Sequence, residues 1–250
     1  VLEWAKHRDS FLDELIRLDG IGFHQEPLSC HDCGEPGGIY RCIDCFETQL
    51  CCSSCMCKEH ARLPFHRIEK WDSGYFQKSS LQLLGLQIQL GHGHTDITCP
   101  NPSTTHEPMT IVDVSGIHRV HVNFCNCPVS NSVPRRTQLL RARLWPATVD
   151  RPQTAVTLNA LDAFLQLTLQ SKLNVYDFYL ALAHLTDNWE TLDLKNRYKE
   201  VSRCIHEYRH ILMAKRSARG HDPEGINATK PGEFAVECPA CPQPGRNLPD

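Results

Sequence analysis

The chain has 250 residues, is 41% apolar and carries a formal net charge of −3, so it can bury a core and is not a disordered tail. No run approaches the roughly 18 uninterrupted apolar residues of a membrane-spanning helix, and the near-neutral balance excludes nucleic-acid binding by overall charge, leaving only a local patch for it. Fourteen cysteines grouped with histidines point to a reducing compartment in which a metal holds the thiols.

Residues 1–23 place Leu2, Ala5, Leu12, Leu15 and Ile16 at helical spacing among charged side chains, which predicts one amphipathic helix stopped near Asp19-Gly20. Residues 24–75 carry three Cys-x-x-Cys pairs, Cys30/Cys33, Cys42/Cys45 and Cys52/Cys55, followed by His60 and His66. A two-residue gap lets both thiolates of a tight turn reach one metal at about 2.3 Å, and eight ligands are enough for two tetrahedral zinc sites. Reactive or disulfide-bonded cysteines are the competing reading. Disulfide frameworks are usually short and secreted, however, and the segment from Val1 to Gly20 has no apolar signal-peptide core.

The spacers of this module are rich in Gly, Pro, Asp and Glu and cannot bury a core. Metal is therefore expected to hold it folded, with binding energies on the order of 10 kcal/mol or more. In cross-braced zinc modules, ligand pairs one and three share a metal and pairs two and four share the other. That assigns Cys30, Cys33, Cys52 and Cys55 to one zinc and Cys42, Cys45, His60 and His66 to the second. Cys51 and Cys57 are spare, and a turn one residue longer would let Cys51 replace Cys52. Full shells leave no position for water or substrate, so both metals are expected to be structural.

Residues 76–145 read as a small antiparallel β region. Leu84, Leu86, Ile88 and Leu90 alternate with polar residues and glycine, and residues 111–114 and 117–124 form a hairpin joined at Ser115-Gly116. Cys99 precedes the hairpin and Cys125-Asn126-Cys127 follows it, which would suit a third zinc with a histidine, His92, as fourth ligand. Three ordinary buried thiols are the alternative.

Residues 146–220 carry three helical stripes: Leu158, Leu161, Leu165 and Leu169; Val175, Phe178, Leu182 and Leu185; and Leu194, Tyr198, Val201, Ile205, Tyr208 and Leu212. The third is too short for a coiled coil, so tertiary packing is expected. From Lys195 to Arg219 there are eight Lys or Arg against two acids, a net of +6. Lys195, Arg197, Lys199, Arg203, Arg209, Lys215 and Arg216 are thus the candidate contacts to a phosphate backbone, unless the helix face is merely solvated. The 24–75 module is acidic by contrast, with five Lys or Arg against eight Asp or Glu, and suits a protein partner better. Residues 221–250 form a loop with a fourth pair, Cys238 and Cys241, whose ligand set is not completed.

There is no Gly-rich phosphate loop, nucleophile elbow or His-Glu-x-x-His. Asp113, Asp187 and Asp193 could be imagined as a metal-binding carboxylate triad, but Asp113 falls at the expected hairpin turn and Asp187 at a helix end, ordinary places for Asp, so no catalytic residue is assigned.

The runs Arg41-Cys42-Ile43-Asp44-Cys45-Phe46, Leu63-Pro64-Phe65-His66-Arg67-Ile68-Glu69-Lys70-Trp71, Leu90-Gly91-His92, Gly116-Ile117-His118 through Phe124-Cys125-Asn126-Cys127, and Pro146-Ala147-Thr148-Val149-Asp150-Arg151-Pro152 resemble the CxC-type cysteine-cluster region of fungal KDZ (Kyakuja-Dileera-Zisupton) transposases. The final Cys238-Pro-Ala-Cys-Pro-Gln-Pro-Gly245 run fits too. The resemblance extends over nearly the whole chain and implies a zinc-binding N-terminal region of a protein working on DNA in the nucleus. It also implies an RNase H-like catalytic core beyond that final run. With an opening on Val1 rather than Met, the sequence is expected to be a piece of a longer protein whose catalytic part lies outside it.

The fold class expected is α+β: a B-box-like cross-braced zinc module, the small β region with its third zinc, then a helical C-terminal region. Two functions are compatible with it. One is a non-catalytic zinc module assisting DNA recognition or transpososome assembly through the basic helix. The other is a B-box-like module for protein interaction or self-association. Neither calls for a membrane or a small-molecule substrate.

Overall fold

The computed structural model describes residues 2–22, 24, 27–91, 99–105, 107–128, 133–188, 195–230, 232–234 and 240–242. They fall into two compact units, 1–201 and 202–250. In chain order the first runs α1 (Leu2–Ala5), α2 (Arg8–Asp19), β1 (Tyr40–Cys42), α3 (Ser53–Glu59), β2 (Ile68–Asp72), β3 (Tyr75–Ser79), β4 (Gln87–Gln89), β5 (Pro102–Thr104), β6 (Met109–Asp113), β7 (Gly116–Cys125), α4 (Arg135–Arg141), β8 (Leu144–Pro146), β9 (Thr154–Thr157), α5 (Leu158–Ser171) and α6 (Val175–Thr186). The helix α7 (Tyr198–Arg216) begins there and continues into the second unit. No helix among the described residues is long and apolar enough to cross a membrane.

The amphipathic pattern at the start of the chain does fold as helix, but in two pieces, α1 and α2, and its stripe is left uncovered. Phe11, Leu12, Leu15 and Ile16 are 55% to 62% exposed, and no residue of α2 is buried.

β1, β2 and β3 form an antiparallel sheet in that order. The β2–β3 turn is Ser73-Gly74, both with positive φ (52° and 92°), as a two-residue type I′ hairpin requires. The buried cluster beneath this sheet is Cys30, Cys42, Cys51, Met56, Ile68, Leu81 and Leu86. Three of its seven members are cysteines, so apolar burial alone is a weak source of stability here.

The second sheet has six strands in the order β4-β7-β6-β9-β8, with β5 also paired to β7. It differs from the small antiparallel sheet expected from sequence in two ways. First, β4 lies parallel to β7, and the alternating leucines before it divide, Leu84 falling in a turn where Gly85 has φ 95°. Second, β9 comes from the segment expected to be helical and lies parallel to β6, while β8, at the end of the expected β segment, pairs with β9. All four residues of β9 are buried. A strand covered on both faces lacks the apolar/polar alternation that marks a half-exposed one. The core on this sheet is Leu90, Met109, Ile111, Val120, Val122, Phe124, Leu139, Leu144 and Ala155.

Helices α5 and α6 are capped by their own sequence. The Thr157 hydroxyl accepts from the Ala160 amide (3.1 Å) and Asn174 Oδ1 accepts from the Asp177 amide (2.8 Å). On α5 the buried stripe passes through Leu161 and Phe164, and Leu169 is 74% exposed. On α6 it comprises Phe178, Tyr179 and Leu182, and on α7 Val201, Ile205 and Tyr208. Leu194 lies outside the described residues. In the second unit Arg219 pairs with Asp222 and Glu233, and the His210 and Phe234 rings lie 5.7 Å apart.

Thr157 also donates to Asp113 Oδ1 at 2.6 Å, so one buried hydroxyl serves both a helix cap and a buried carboxylate. Thr157→Val keeps the shape and removes both bonds. Its expected cost is about 3 kcal/mol, a cap of about 1 plus a charge-assisted bond of about 2, read as a lowered urea midpoint. A loss below about 1 kcal/mol would show that water replaces the hydroxyl.

Candidate metal centres

The first group forms at the start of α3. Cys30 and Cys33 come from a knuckle closed by the Ser29/Pro36 bridge, while Cys52 is the residue preceding α3 and Cys55 lies in its first turn. The four sulfurs lie within 4.8 Å of one another, with Cys33 and Cys52 Sγ 3.9 Å apart. Four sulfurs around a tetrahedral ion with bonds of about 2.3 Å would be about 3.8 Å apart. The Ser54 hydroxyl, first, and the Cys55 amide hold the Cys52 thiol down to about 6. A thiolate at a helix start is the form that ligates.

In the second group, Cys42 and Cys45 meet His60 and His66. Cys42 Sγ is 3.4 Å from His66 Nδ1, and Cys45 Sγ is 3.4 Å from His60 Nε2 and 3.5 Å from His66 Nδ1. Sulfur and nitrogen ligands of one tetrahedral ion would be separated by about 3.5 Å. His60 is buried, and its Nδ1–H donates to the Met56 carbonyl at 2.9 Å, which leaves Nε2 free to face the sulfurs. Burial, and then the neighbouring His60, holds His66 below its ordinary value and therefore neutral. Burial pushes the Cys42 thiol up to about 12, a penalty on the thiolate that a dication at the centre removes.

Asp44, inside the Cys42/Cys45 knuckle, accepts from the Arg67 amide (2.6 Å) and from Arg67 Nη2 (2.6 Å). Burial raises its carboxyl, but the Arg67 bonds outweigh that and hold it below its ordinary value. The knuckle is thereby fixed to the residue next to His66. Cys51 donates to Asp32 Oδ2 (3.4 Å) and forms a further group with Cys30 and Asp32, while Cys57 faces the Leu84 carbonyl (3.5 Å).

The third group is Cys99, Cys125 and Cys127, again within 4.8 Å, with Cys99 and Cys127 Sγ 3.6 Å apart. Gln138 of α4 accepts from the Cys125 amide (2.9 Å) and donates to the Cys125 carbonyl (3.0 Å). A Cβ built on Gly91 would lie 3.5 Å from Cys125 Sγ, so the chain passes beside the sulfurs just before His92, which lies outside the described residues. Residues 81–190 match the family model of the CxC2-like cysteine cluster associated with KDZ transposases. No curated protein and no solved structure matches the chain significantly. The CxC2 region thus contains the six-stranded sheet, α4 to α6 and the third cysteine group, while the two groups around α3 precede it.

All three groups are positioned to hold metal ions, and thiolates with imidazoles at tetrahedral spacing suit zinc. In the first two, four side chains are close enough together to fill a tetrahedral shell. Within the CxC2 region, Ser115 Oγ lies 2.9 Å from His118 Nε2 and 2.8 Å from Asp113 Oδ2, superficially a nucleophile with its base. Asp113 meets the hydroxyl rather than the imidazole, however, and the same hydroxyl faces the Phe65 carbonyl at 2.9 Å. Its neighbours make it a packing knot at the β6–β7 turn. Asp187 is buried at the end of α6, and Asp193 lies outside the described residues, as does Cys238; Cys241 is exposed.

Of the basic residues, Lys195, Lys199, Arg203, Arg209, Lys215 and Arg216 are exposed and Arg197 is half-buried. Arg197 pairs with Glu200 (3.2 Å) and Arg203 with Glu207 (3.8 Å).

Proposed function

We propose that this chain is a non-catalytic, zinc-stabilised region of a KDZ transposase-like protein that helps it engage DNA in the nucleus. The observation that carries the reading is the CxC2 match around a cysteine group whose sulfurs already converge. On this reading Cys30, Cys33, Cys52 and Cys55 hold one zinc, and Cys42, Cys45, His60 and His66 a second. Cys99, Cys125, Cys127 and His92 hold a third, and α7 with the residues just before it faces phosphate. The exposed Lys195, Lys199, Arg209, Lys215 and Arg216 supply the charge, whereas the partners of Arg197 and Arg203 reduce theirs.

Lys199→Glu, Arg209→Glu and Arg216→Glu together test the phosphate face, since all three side chains lie off the buried stripe. Each lost contact should make the log-log salt slope shallower by about 0.9, so the triple variant is expected to lose about 3 units of slope and at least about tenfold in affinity at low salt. Equal binding by variant and parent refutes the α7 face.

The interleaved shells favour a second reading. Two metals that tie distant loops together leave a rigid, acidic, B-box-like surface suited to a protein partner or to self-association. Concentration-dependent mass in sedimentation, with no DNA binding, would support it.

A further inference from the structure

We infer that α4 and the turn after it form a separate phosphate-backbone face, anchored to the third cysteine group; this rests on the DNA reading above and assigns it a second contact. Residues 133–145 contain four arginines, no lysine and no acid, in a chain whose net charge is −3. Arg135 is turned inward, its guanidinium 4.9 Å from the centre of the Phe124 ring and its Nη2 donating to Ser103 Oγ at 3.1 Å. Arg136, Arg141 and Arg143 are exposed.

Four half-buried arginines elsewhere in the chain differ in one respect. Arg41, Arg67, Arg197 and Arg219 each sit on a carboxylate. Among the described residues no carboxylate pairs with Arg136 or Arg141, and Arg143 meets only the neutral Asn159 Oδ1, at 3.2 Å. A solvated helix face is ordinarily laced with both signs of charge, and this one holds guanidinium alone, the group whose planar fork matches phosphate oxygens.

Two features fix this face in place. Gln138, 4% exposed, accepts from the Cys125 amide and donates to the carbonyls of Cys125 and Val133, while Leu139 is fully buried in the sheet's core. The inner side of α4 is therefore locked to the cysteine group, and the cations on the outer side are presented with little ordering left to do on binding. Arg143 itself has φ 61°, the left-handed backbone just past a helix where glycine is the usual residue. An arginine there keeps a cation at a strained position. Cations spread along a convex helix about 10 Å long fit a row of phosphates better than a single anion, and such contacts carry no base specificity.

The test uses the full metal-loaded chain and a labelled random-sequence duplex, with binding followed by anisotropy over a salt series. Arg136→Ser, Arg141→Ser and Arg143→Ser combined are expected to make the slope shallower by about 3 and to weaken low-salt binding about tenfold or more, with metal content and melting unchanged. Arg143→Gly separates backbone from charge: glycine fits the left-handed turn, so melting should hold or rise while the slope still drops by about 1. Parent-like binding by the triple variant, while the α7 variant binds weakly, overturns the α4 face and leaves the DNA reading standing. A parent chain that binds no duplex at any salt overturns both.

Discussion

Cys42→Ser is expected to release one metal per chain and to unfold the module around α3 ahead of the rest of the first unit. Its sulfur belongs to the second group, 3.4 Å from His66 Nδ1, and a serine hydroxyl is a poor replacement for a thiolate on a soft-ligand site. The module has little else to hold it. Its sheet has three strands, and three of the seven members of its buried cluster are cysteines. Apparent zinc binding energies of about 10 to 16 kcal/mol equal or exceed the whole stability of an ordinary domain, about 5 to 15 kcal/mol. Losing one site should thus leave the module unfolded, and a strong chelator should do the same to the parent chain.

Metal analysis reads the first effect, and loss of amide-exchange protection across β1 and β2 reads the second. Cys51→Ser is the control, because Cys51 bonds to Asp32 and stands outside both four-residue groups. It should keep the parent's metal count. A Cys42→Ser chain with the parent's metal content and protected β1 and β2 amides would sink the assignment.

How far the chain could be read depended on how local each signal was. A Cys-x-x-Cys pair is visible because both ligands lie in one turn. The trio of Cys99, Cys125 and Cys127 needs β7 to return the chain to β5, where Pro102 stands opposite Cys125, so spacing alone left buried thiols open as an alternative. The hairpin β6–β7 showed itself through alternation, and α5 to α7 through their stripes. By contrast β9, buried on every residue, had no alternation to show, and it drew a second parallel pairing into a sheet expected to be antiparallel.

Gln138 and the Asp44/Arg67 pair could not be found by spacing at all. One is a neutral side chain in a polar run, and the other joins residues 23 apart in sequence. The arginines of α4 were present as a charge run, but their meaning depends on which side of the helix is inward. The apolar stripe of α2 was legible and folds as helix, yet sequence could not say that it would stay exposed.

Gly91→Ala should be the most damaging single-methyl change in the CxC2 region. Gly91 has φ 89°, and a Cβ built on it would lie 2.3 Å from Cys125 Cβ and 3.0 Å from Gln138 Oε1. Neither neighbour can give way freely. Cys125 ends β7 within a sheet ladder and Gln138 is held by three hydrogen bonds, so the added methyl must push Leu90 and Gly91 away from the cysteine group or break the Gln138 bonds. Left-handed backbone on a non-glycine residue costs about 1 to 3 kcal/mol, and overpacking adds about 1 to 3 kcal/mol, giving an expected loss of about 4 kcal/mol. Gly85→Ala isolates the first contribution, since Gly85 has φ 95° with nothing within 4 Å of its built Cβ; it should cost only about 1 to 2 kcal/mol. Urea unfolding of both variants gives the difference, and cobalt substitution reads the third group separately through its thiolate absorption. Gly91→Ala is expected to lose that share of the signal while Gly85→Ala keeps it. Equal stabilities for the two variants, with cobalt spectra matching the parent, would mean that the chain at Gly91 does not press against Cys125.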